Sequence, residues 1–313
     1  MSIWQLKTPV AFLVFNRPET TKIVFEAIRQ AKPPVLLVVA DGARANKVGE
    51  AQKCEAVRAV IDLVDWNCEV LTNYSEVNLG CKQRVASGLD WVFEQVETAI
   101  ILEDDCLPDP SFFRYCQELL EYYRHDERIM SIGGLNVQLG KQRTEYSYYC
   151  SSYPHIWGWA TWKRAWQYYD VEMKLWPKIR DCQYLHNIFT DPRTIEYWTQ
   201  IFQGTYQGDL DTWDYQWIFT CLVQGGLSIV LQANLISNLG FGIDATHTVN
   251  SNSSSPYSKM KTENLTFPLL YPAFPLLDLE ADRFTQNNYY NIDMTLKGRL
   301  QRKFKQLLTT TTL

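Results

Sequence analysis

The first half of the chain alternates short apolar runs with segments of helical periodicity. The apolar runs cover 9–15, 35–40 and 98–102, with a shorter run at 68–71. A continuous apolar run predicts a strand buried on both faces, as in a parallel sheet. Helical spacing of apolar residues is found between the runs, through 19–31, 56–63 and 85–93. Four such units predict an α/β fold, a Rossmann-like three-layer sandwich with a mostly parallel sheet.

The alternation stops at about residue 131. The segment 146–176 is dense in aromatic residues, helical patterns follow at 193–202 and 213–223, and one more strand is predicted at 227–231. Because no repeat or linker separates the two halves, we expect one domain over 1–250 that divides at about residue 130. A C-terminal extension over 251–313 follows it. Within this extension, 296–307 predicts a basic amphipathic helix, which can dock on anionic lipid or pack on its own domain.

Composition and charge exclude several classes of protein. The chain has 313 residues, of which 46% are apolar and 21% charged, and these are globular values. Its net charge of −5 argues against a nucleic-acid partner. No apolar run is long enough to span a bilayer, and residues 1–14 lack the features of a signal peptide. The eight cysteines occur singly, without a CxxC pair, so we expect reduced thiols in a cytoplasmic protein.

Polar residues follow the predicted strands where each strand ends. Asn16 and Arg17 follow the first strand, Asp41 the second, and the acidic triplet 103–105 the fourth. In open α/β sheets, ligands bind beyond the carboxyl ends of the strands, so these side chains should surround one cleft. The sequence has neither GxGxxG after the first strand nor GxxxxGK[ST], which argues against a dinucleotide site and a P-loop.

The acidic triplet Glu103-Asp104-Asp105 is the strongest chemical signal. Adjacent carboxylates raise one another's pKa, and a divalent cation relieves their repulsion. Carboxylate oxygens suit Mg²⁺ or Mn²⁺. A solvated acidic turn is the alternative, but delivery by a buried strand to the ligand-binding edge favours a metal site.

This strand, its triplet and the following segment 108–113 resemble the variant DxD motif of GT-A fold glycosyltransferases. The likeness is to the β-1,2-N-acetylglucosaminyltransferases with a Glu-Asp-Asp motif and to bacterial family 2-like enzymes. It extends over about residues 9–247. It implies a GT-A fold with a nucleotide-binding half at about 1–130 and an aromatic-rich acceptor half at about 131–250. The implied activity is hexosyl or N-acetylhexosaminyl transfer from a nucleoside diphosphate sugar, with UDP as the nucleotide.

The resemblance also implies roles for individual residues. Mn²⁺ or Mg²⁺ would be held by Asp105 and by His247, which follows the last strand in a loop with glycine hinges. The positions implied for binding the nucleotide sugar are Asn16, Arg17, Asp41, Lys82, Glu103 and Asp104. A cation there would stabilise the charge on the departing diphosphate.

An inverting transfer also needs a base that removes the proton from the acceptor hydroxyl. Asp211 and Asp214 lie where a helical pattern opens, and we predict that they are catalytic. Asp214 is preferred because Trp-Asp before a helix resembles the base-bearing segment of the family. An N-cap with an acidic first turn is the alternative, above all for Asp211. Retention of anomeric configuration stays open.

The predicted acceptor site contains Trp157 and Trp159, which could form a platform for a sugar ring, with Gly158 allowing close approach to the backbone. Trp159, Trp162 and Trp166 would share one helical face, so core packing is the alternative. The acceptor would be a hydroxyl of a glycan, a lipid-linked sugar or a polypeptide, with peripheral membrane contact through 296–307. Two other functions stay open: a non-catalytic carbohydrate-binding protein, suggested by the aromatic content, and a sugar nucleotidyltransferase, which the missing glycine-rich loop disfavours.

Overall fold

The computed structural model describes residues 4–240 and 256–292. The strands are β1 (Val10–Val14), β2 (Val35–Ala40), β3 (Glu69–Tyr74), β4 (Thr98–Glu103), β5 (Cys106–Pro108), β6 (Ile129–Gly133), β7 (Tyr148–Ser151), β8 (Trp159–Trp162), β9 (Leu227–Leu231) and β10 (Ile236–Asn238). The α-helices are α1 (Pro18–Ala31), α2 (Glu50–Ile61), α3 (Gly80–Gln95), α4 (Ser111–Tyr122), α5 (Lys163–Trp166), α6 (Trp176–Asp181), α7 (Pro192–Gln207), α8 (Asp214–Val223) and α9 (Leu279–Phe284). Shorter helical turns lie at Tyr184–Asn187, Pro256–Lys259 and Thr285–Tyr289.

Eight strands form one sheet in the order β3-β2-β1-β4-β8-β6-β9-β7. The strands β3, β2, β1 and β4 are parallel, and so are β6 and β9, whereas β8 and β7 run antiparallel to their neighbours. The predicted α/β fold with a mostly parallel sheet is confirmed. The second half of the chain adds β7, β8 and β9 to the sheet begun by the first half, so both halves share one sheet.

Side chains that alternate between the two faces of the sheet join it to a layer of helices on each side, which gives three layers. In β1, Phe12 and its neighbours on the same face pack in a cluster with α1, α2 and α4. Ala11 and Leu13 point to the opposite face, into a cluster that contains residues of α3, α5 and α8. Because successive strand residues point to opposite faces, an all-apolar run such as β1 supplies both clusters at once.

The aromatic segment around Trp159 forms a strand where a helix was expected. Trp159 and Trp162 lie in β8, and the helix begins only at Lys163. In a strand, residues three apart point to opposite faces, and these two rings belong to the two opposite clusters. The prediction that Trp159, Trp162 and Trp166 share one helical face is therefore wrong. Pairing of β8 with β4 and β6 decides the conformation here.

The described part of the C-terminal extension packs along the edge strand β7. The Asp278 amide donates to the Cys150 carbonyl at 2.9 Å, and the Ser151 hydroxyl donates to the Asp282 carboxylate at 2.5 Å. Residues 256–292 are thus joined to the main sheet, while 296–307 lies outside the described residues. Within the described ranges, no helix is long and apolar enough to cross a bilayer. All eight cysteines are free thiols.

Candidate active site

Two adjoining cavities lie at the carboxyl edge of β1, β2 and β4. The first, here called the acidic cavity, has a volume of about 510 Å³. Its polar and aromatic lining comprises Arg17, Glu103, Asp105, Trp157, Asp209, Asp211, Thr212, Trp213, Asp214, Tyr215 and Asn238. The second, here called the inner cavity, has a volume of about 250 Å³. The residues common to both are Arg17, Cys81, Glu103 and Asp211, so the two form one continuous cleft.

An ion pair lies at the centre of this cleft. Arg17 follows β1 directly and precedes Pro18, the first residue of α1. Its Nη1 atom lies 2.6 Å from Asp105 Oδ2 and 3.7 Å from Asp104 Oδ1. Burial acts to lower the pKa of the guanidinium, but Asp104 and Asp105 outweigh it and raise that pKa above its usual value. Arg17 therefore stays charged and bridges two carboxylates of the acidic triplet.

Burial and mutual repulsion raise the pKa values of carboxylates in the triplet, and Arg17 does not fully offset this effect. Burial raises the pKa of Asp104 to about 7, although Arg17 opposes the shift and the Phe15 amide donates to its Oδ2 at 3.2 Å. The pKa of Glu103 is raised well above its usual range, by burial first and then by Asp105, Asp104 and Asp214. The Oε1 atom of Glu103 is buried and accepts no hydrogen bond from the residues that the structure describes. A second cation or a proton would satisfy it.

The residues present suit a hard cation only in part. In the described portion of the chain, no group of three or more His, Cys, Asp or Glu side chains is arranged to hold a metal ion. Glu103 Oε1 offers an unsatisfied carboxylate oxygen beside the Asp105 carboxylate, which is the donor chemistry that Mg²⁺ and Mn²⁺ prefer. Asp105, however, already contacts Arg17. The other predicted metal ligand, His247, lies outside the described residues.

The chain after β10 lies directly against Asp105. The Leu239 amide donates to the Asp105 carbonyl at 2.7 Å, continuing the pairing of β10 with β5. A Cβ atom at Gly240 would lie 2.3 Å from Asp105 Oδ2. Only a residue without a side chain can therefore occupy position 240 while Asp105 keeps this position.

Asp41 lines the inner cavity, as predicted for a residue at the end of β2, but its carboxylate is already occupied. It accepts hydrogen bonds from the amides of Gly42, Leu79 and Gly80 and from the side chain of Asn78. Burial raises the pKa of Asp41, while the three backbone amides and Arg84 act to lower it. The side chain holds the loop that enters α3, so its effect on a ligand would be indirect.

Asp211 approaches the same helix terminus from the other side. Its Oδ1 atom accepts a hydrogen bond from the Lys82 amide at 3.0 Å, in the first turn of α3. A carboxylate there is favoured by the exposed N–H groups and the helix dipole. Gly80, at φ +78°, would bring a Cβ atom within 3.2 Å of Asp211 Oδ2. Asp211 is therefore not the N-cap of its own helix, since α8 begins at Asp214 with Trp213 as the N-cap residue. Its carboxylate instead binds the first turn of α3, a helix distant in sequence.

Lys82 lines neither cavity. Its Nζ atom forms an ion pair with Glu172 at 3.7 Å. Asn16 also lies outside the lining, since its side-chain amide donates to Glu50 at 2.9 Å. Asn16 therefore supports the loop after β2, where Glu50 accepts the Arg44 amide at 2.7 Å.

The inner cavity contains residues that sequence reasoning missed. Arg44 and Arg84 line it, together with Phe15 and the apolar side chains Leu13, Val39 and Val85. The Arg44 guanidinium lies 5.6 Å from the centre of the Phe15 ring, and Arg84 donates to the Asn73 carbonyl at 2.6 Å. The only sequence signal was position, since Phe15 ends the first apolar run and Arg44 follows the second.

Asp214 is the first residue of α8 and lines the acidic cavity. Its Oδ1 atom accepts a hydrogen bond from the Thr212 hydroxyl. Asp214 also acts to raise the pKa of Glu103, after burial, Asp105 and Asp104. The structure thus brings Glu103, Asp105, Arg17 and Asp214 to one cavity, while Asp104 lines the adjoining inner cavity.

The two predicted acceptor tryptophans differ. Trp157 lines the acidic cavity. Trp159 is 0% exposed, with its ring centre 5.7 Å from that of Trp213 and 5.6 Å from that of Trp217, which makes it a core residue. Gly158, at φ +58°, would bring a Cβ atom within 2.3 Å of Ile236 Cδ1, so protein packing accounts for this glycine.

Comparison with known proteins leaves the chain without a demonstrated family. No family model matches it, and no curated protein does. Among solved structures, mouse xyloside xylosyltransferase 1 in its apo form is similar at 12% identity and a TM-score of 0.32, over 69% of this chain and 82% of that chain. The functional argument therefore rests on the cleft.

Proposed function

We propose that the protein is a glycosyltransferase that moves a sugar from a nucleoside diphosphate to a hydroxyl acceptor. The observation that carries the proposal is the acidic cavity, which Arg17, Glu103, Asp105 and Asp214 line together. A transfer of this kind needs positive charge where the diphosphate departs and a base where the acceptor enters. The cavity has groups suited to both tasks.

The nucleoside would occupy the inner cavity. Its walls combine the Phe15 ring and aliphatic side chains with Arg44 and Arg84. Aromatic and guanidinium planes are the groups on which bases stack. The inner cavity opens into the acidic cavity past Arg17. A nucleotide bound in this way would direct its phosphates toward the guanidinium, and UDP is the nucleotide we propose.

The diphosphate would be held by Arg17 and by a divalent cation, Mn²⁺ or Mg²⁺. Glu103 and Asp105 would hold the cation, since Glu103 Oε1 is unsatisfied within the described chain and Asp105 lies beside it. A bound cation would act as a Lewis acid on the leaving diphosphate. Arg17 adds a permanent positive charge to the same place, because its pKa is above its usual value.

Asp214 is the proposed base for an inverting reaction. It lines the acidic cavity together with Glu103 and Asp105, and the Thr212 hydroxyl orients its carboxylate by donating to Oδ1. Asp211 would act differently, by holding the first turn of α3 in place at the Lys82 amide. Trp157 is the proposed contact for the acceptor, a hydroxyl of a glycan, a lipid-linked sugar or a polypeptide.

The aromatic content no longer motivates a separate carbohydrate-binding module. Most of the large rings belong to buried clusters, including Trp159, Trp176, Trp198 and Trp217, each 0% exposed. Aromatic residues that fill cores are not free to stack on sugars. Trp157 and Tyr215 remain at the cavity.

A screen of nucleotide sugars tests the proposal without knowledge of the acceptor. We expect one donor to be hydrolysed in a Mn²⁺-dependent reaction, because water can slowly replace the acceptor. The release of free nucleotide measures this hydrolysis. The Asp105→Asn variant should lose this hydrolysis, while Asp65→Asn, which changes an exposed carboxylate paired with Arg29, should keep it. Absence of hydrolysis and of nucleotide binding for every donor would refute the proposal.

A further inference from the structure

Glu50 is a buried carboxylate next to the inner cavity, at the start of α2. It is 5% exposed and is the first residue of that helix, where unpaired main-chain amides and the helix dipole favour a negative charge. Its side chain does not line the cavity, but that of its partner Arg44 does. We propose that Glu50 is a positioning residue that sets the orientation of the Arg44 guanidinium toward the nucleoside. This role rests on the proposed function, because the inner cavity is where the nucleoside would bind.

Both oxygens of the Glu50 carboxylate accept hydrogen bonds from Arg44. The Arg44 Nε atom lies 3.1 Å from Oε1 and 3.0 Å from Oε2, and the Nη2 atom also donates to Oε1. The main-chain amide of Arg44 donates to Oε2 at 2.7 Å. One carboxylate thus binds the guanidinium and the backbone of the same residue. Paired hydrogen bonds of this kind fix the plane of a guanidinium as well as its position.

A further donor holds Glu50 itself in place. The side-chain amide of Asn16, which follows β1, donates to Glu50 Oε1 at 2.9 Å. The hydrogen bonds from Arg44 and Asn16 outweigh burial and lower the pKa of Glu50 to about 2, so the carboxylate is ionised at neutral pH. Glu50 therefore joins the chain after β1 to the loop after β2.

The guanidinium held in this way lies beside the Phe15 ring. The Arg44 Cζ atom is 5.6 Å from the centre of that ring, and both side chains line the inner cavity. The Arg44 side chain is 42% exposed, so without Glu50 it would adopt many rotamers. Guanidinium planes and aromatic rings are surfaces on which bases stack. Glu50 therefore acts on the nucleoside through Arg44, by keeping the guanidinium at the cavity wall.

The charge of Glu50, taken alone, would have the opposite effect on a nucleoside diphosphate. A carboxylate near the inner cavity repels an anionic ligand, so its loss would tighten the binding of UDP. Loss of positioning would instead weaken the binding of UDP. Uridine carries no phosphate, so its affinity reports on positioning without this repulsion.

Calorimetric titration of the full chain with UDP in the presence of Mn²⁺, and with uridine, tests the inference. Glu50→Asp keeps the charge but shortens the side chain by one methylene group, and Glu50→Gln keeps the shape but removes the charge. We expect both variants to lose about ten-fold in affinity for both ligands, because each weakens the hold on the guanidinium. Glu118→Gln, which changes an ion pair with Arg114 on α4, is the matched control and should bind like the wild type.

A double-mutant cycle shows whether Glu50 acts through Arg44. Arg44→Ala should lose about ten-fold in affinity by itself. In the Arg44→Ala background, Glu50→Asp should cause no further loss, since the group that it positions is gone. An equal loss in both backgrounds would overturn the inference, because Glu50 would then support the cavity independently of Arg44.

Thermal unfolding separates misfolding from loss of positioning. Glu50→Asp keeps a carboxylate at the first position of α2, so its unfolding midpoint should stay near that of the wild type. Unchanged affinity for UDP and uridine in this variant would overturn the inference, and so would tighter binding of UDP by Glu50→Gln with unchanged affinity for uridine. A wild type that binds no nucleotide would refute the proposed function and this role together.

Discussion

Arg17 Nη1 lies 2.6 Å from Asp105 Oδ2, so the carboxylate predicted to hold a metal is paired with an arginine of the same cleft. The pair joins the end of β1 to the end of β4, which are neighbours in the sheet. Asp105 is about one-seventh exposed, at 15% for its side chain, and Arg17 is 23% exposed. Guanidinium and metal would therefore compete for one partly buried carboxylate.

Removal of Arg17 should change metal binding and catalysis in opposite directions. In Arg17→Ala, the triplet loses its positive partner, so the free protein should bind Mn²⁺ about ten-fold more tightly. Donor hydrolysis should fall about a hundred-fold or more, since charge at the diphosphate is lost. Calorimetry with Mn²⁺ measures the first effect. Arg29→Ala, which removes an exposed ion pair with Asp65, is the control. Unchanged Mn²⁺ affinity in Arg17→Ala would contradict the competition.

Gly240→Ala should disturb the site through a single methyl group. The new Cβ atom would lie 2.3 Å from Asp105 Oδ2, so the carboxylate or the chain at 240 must shift. We expect donor hydrolysis to fall about ten- to a hundred-fold, because displacement of about 1 Å at a reacting group has that effect. Gly204→Ala is the matched control, since its Cβ atom would meet only Leu210, at 3.8 Å. Equal hydrolysis rates for the two variants would show that the position of Asp105 is unimportant.

The Asp214→Asn variant should turn over more slowly while it still binds the nucleotide. The amide keeps the shape of the side chain but cannot accept a proton, so turnover should fall about 10²- to 10⁴-fold while nucleotide affinity stays within about two-fold. Asp211→Ala should instead remove the cap on α3 at the Lys82 amide and lower stability by about 1 kcal/mol. Steady-state kinetics and urea unfolding of both variants distinguish the roles. If Asp211→Ala suffers the larger loss of turnover at unchanged stability, the assignment of the base is wrong.

The two neighbouring tryptophans should respond differently to truncation. Trp159→Ala removes a 0% exposed ring from the core and should cost about 3 to 5 kcal/mol of stability. Trp157→Ala should be milder in stability, because this side chain lines a cavity, and should raise the KM for the acceptor. Chemical denaturation and acceptor titration measure the two effects. A core-like loss of stability in Trp157→Ala without a change in KM would remove it from the acceptor site.

Asp282 should make stability depend on pH. Burial raises its pKa from 3.8 to about 6, although the Ser151 hydroxyl and Ser152 amide oppose the shift. Between about pH 4 and pH 6 the folded protein keeps a proton that the unfolded chain has released, so stability falls as pH rises through this window and levels off above it. The contribution is on the order of 2 to 3 kcal/mol.

Urea unfolding between pH 4 and pH 7 measures this effect, with Asp282→Asn as the comparison. The variant has no carboxyl group to titrate there, so its stability curve should be flatter over that window. Parallel curves for the wild type and the variant would show that Asp282 does not titrate within it.

The strands and the edge where the site lies were predictable, because both depend on local pattern. The all-apolar run before Phe15 could only be buried on both faces, and β1 spans Val10–Val14 as expected. Strand ends then placed Arg17, Asp41 and Asp105 at one edge of the sheet. The partner of each side chain was not predictable, since Arg17 and Asp105 are 88 residues apart in sequence.

What the sequence determined by itself was the α/β class and the cluster of carboxylates at the carboxyl edge, since period-2 burial and strand ends follow from local covalent geometry. Tertiary structure alone decided that Asp211 caps α3, that Trp159 is in a core strand and that Arg17 pairs with Asp105. These outcomes depend on strand pairing and side-chain packing between distant segments. The contacts that stabilise these arrangements form only once the sheet has assembled.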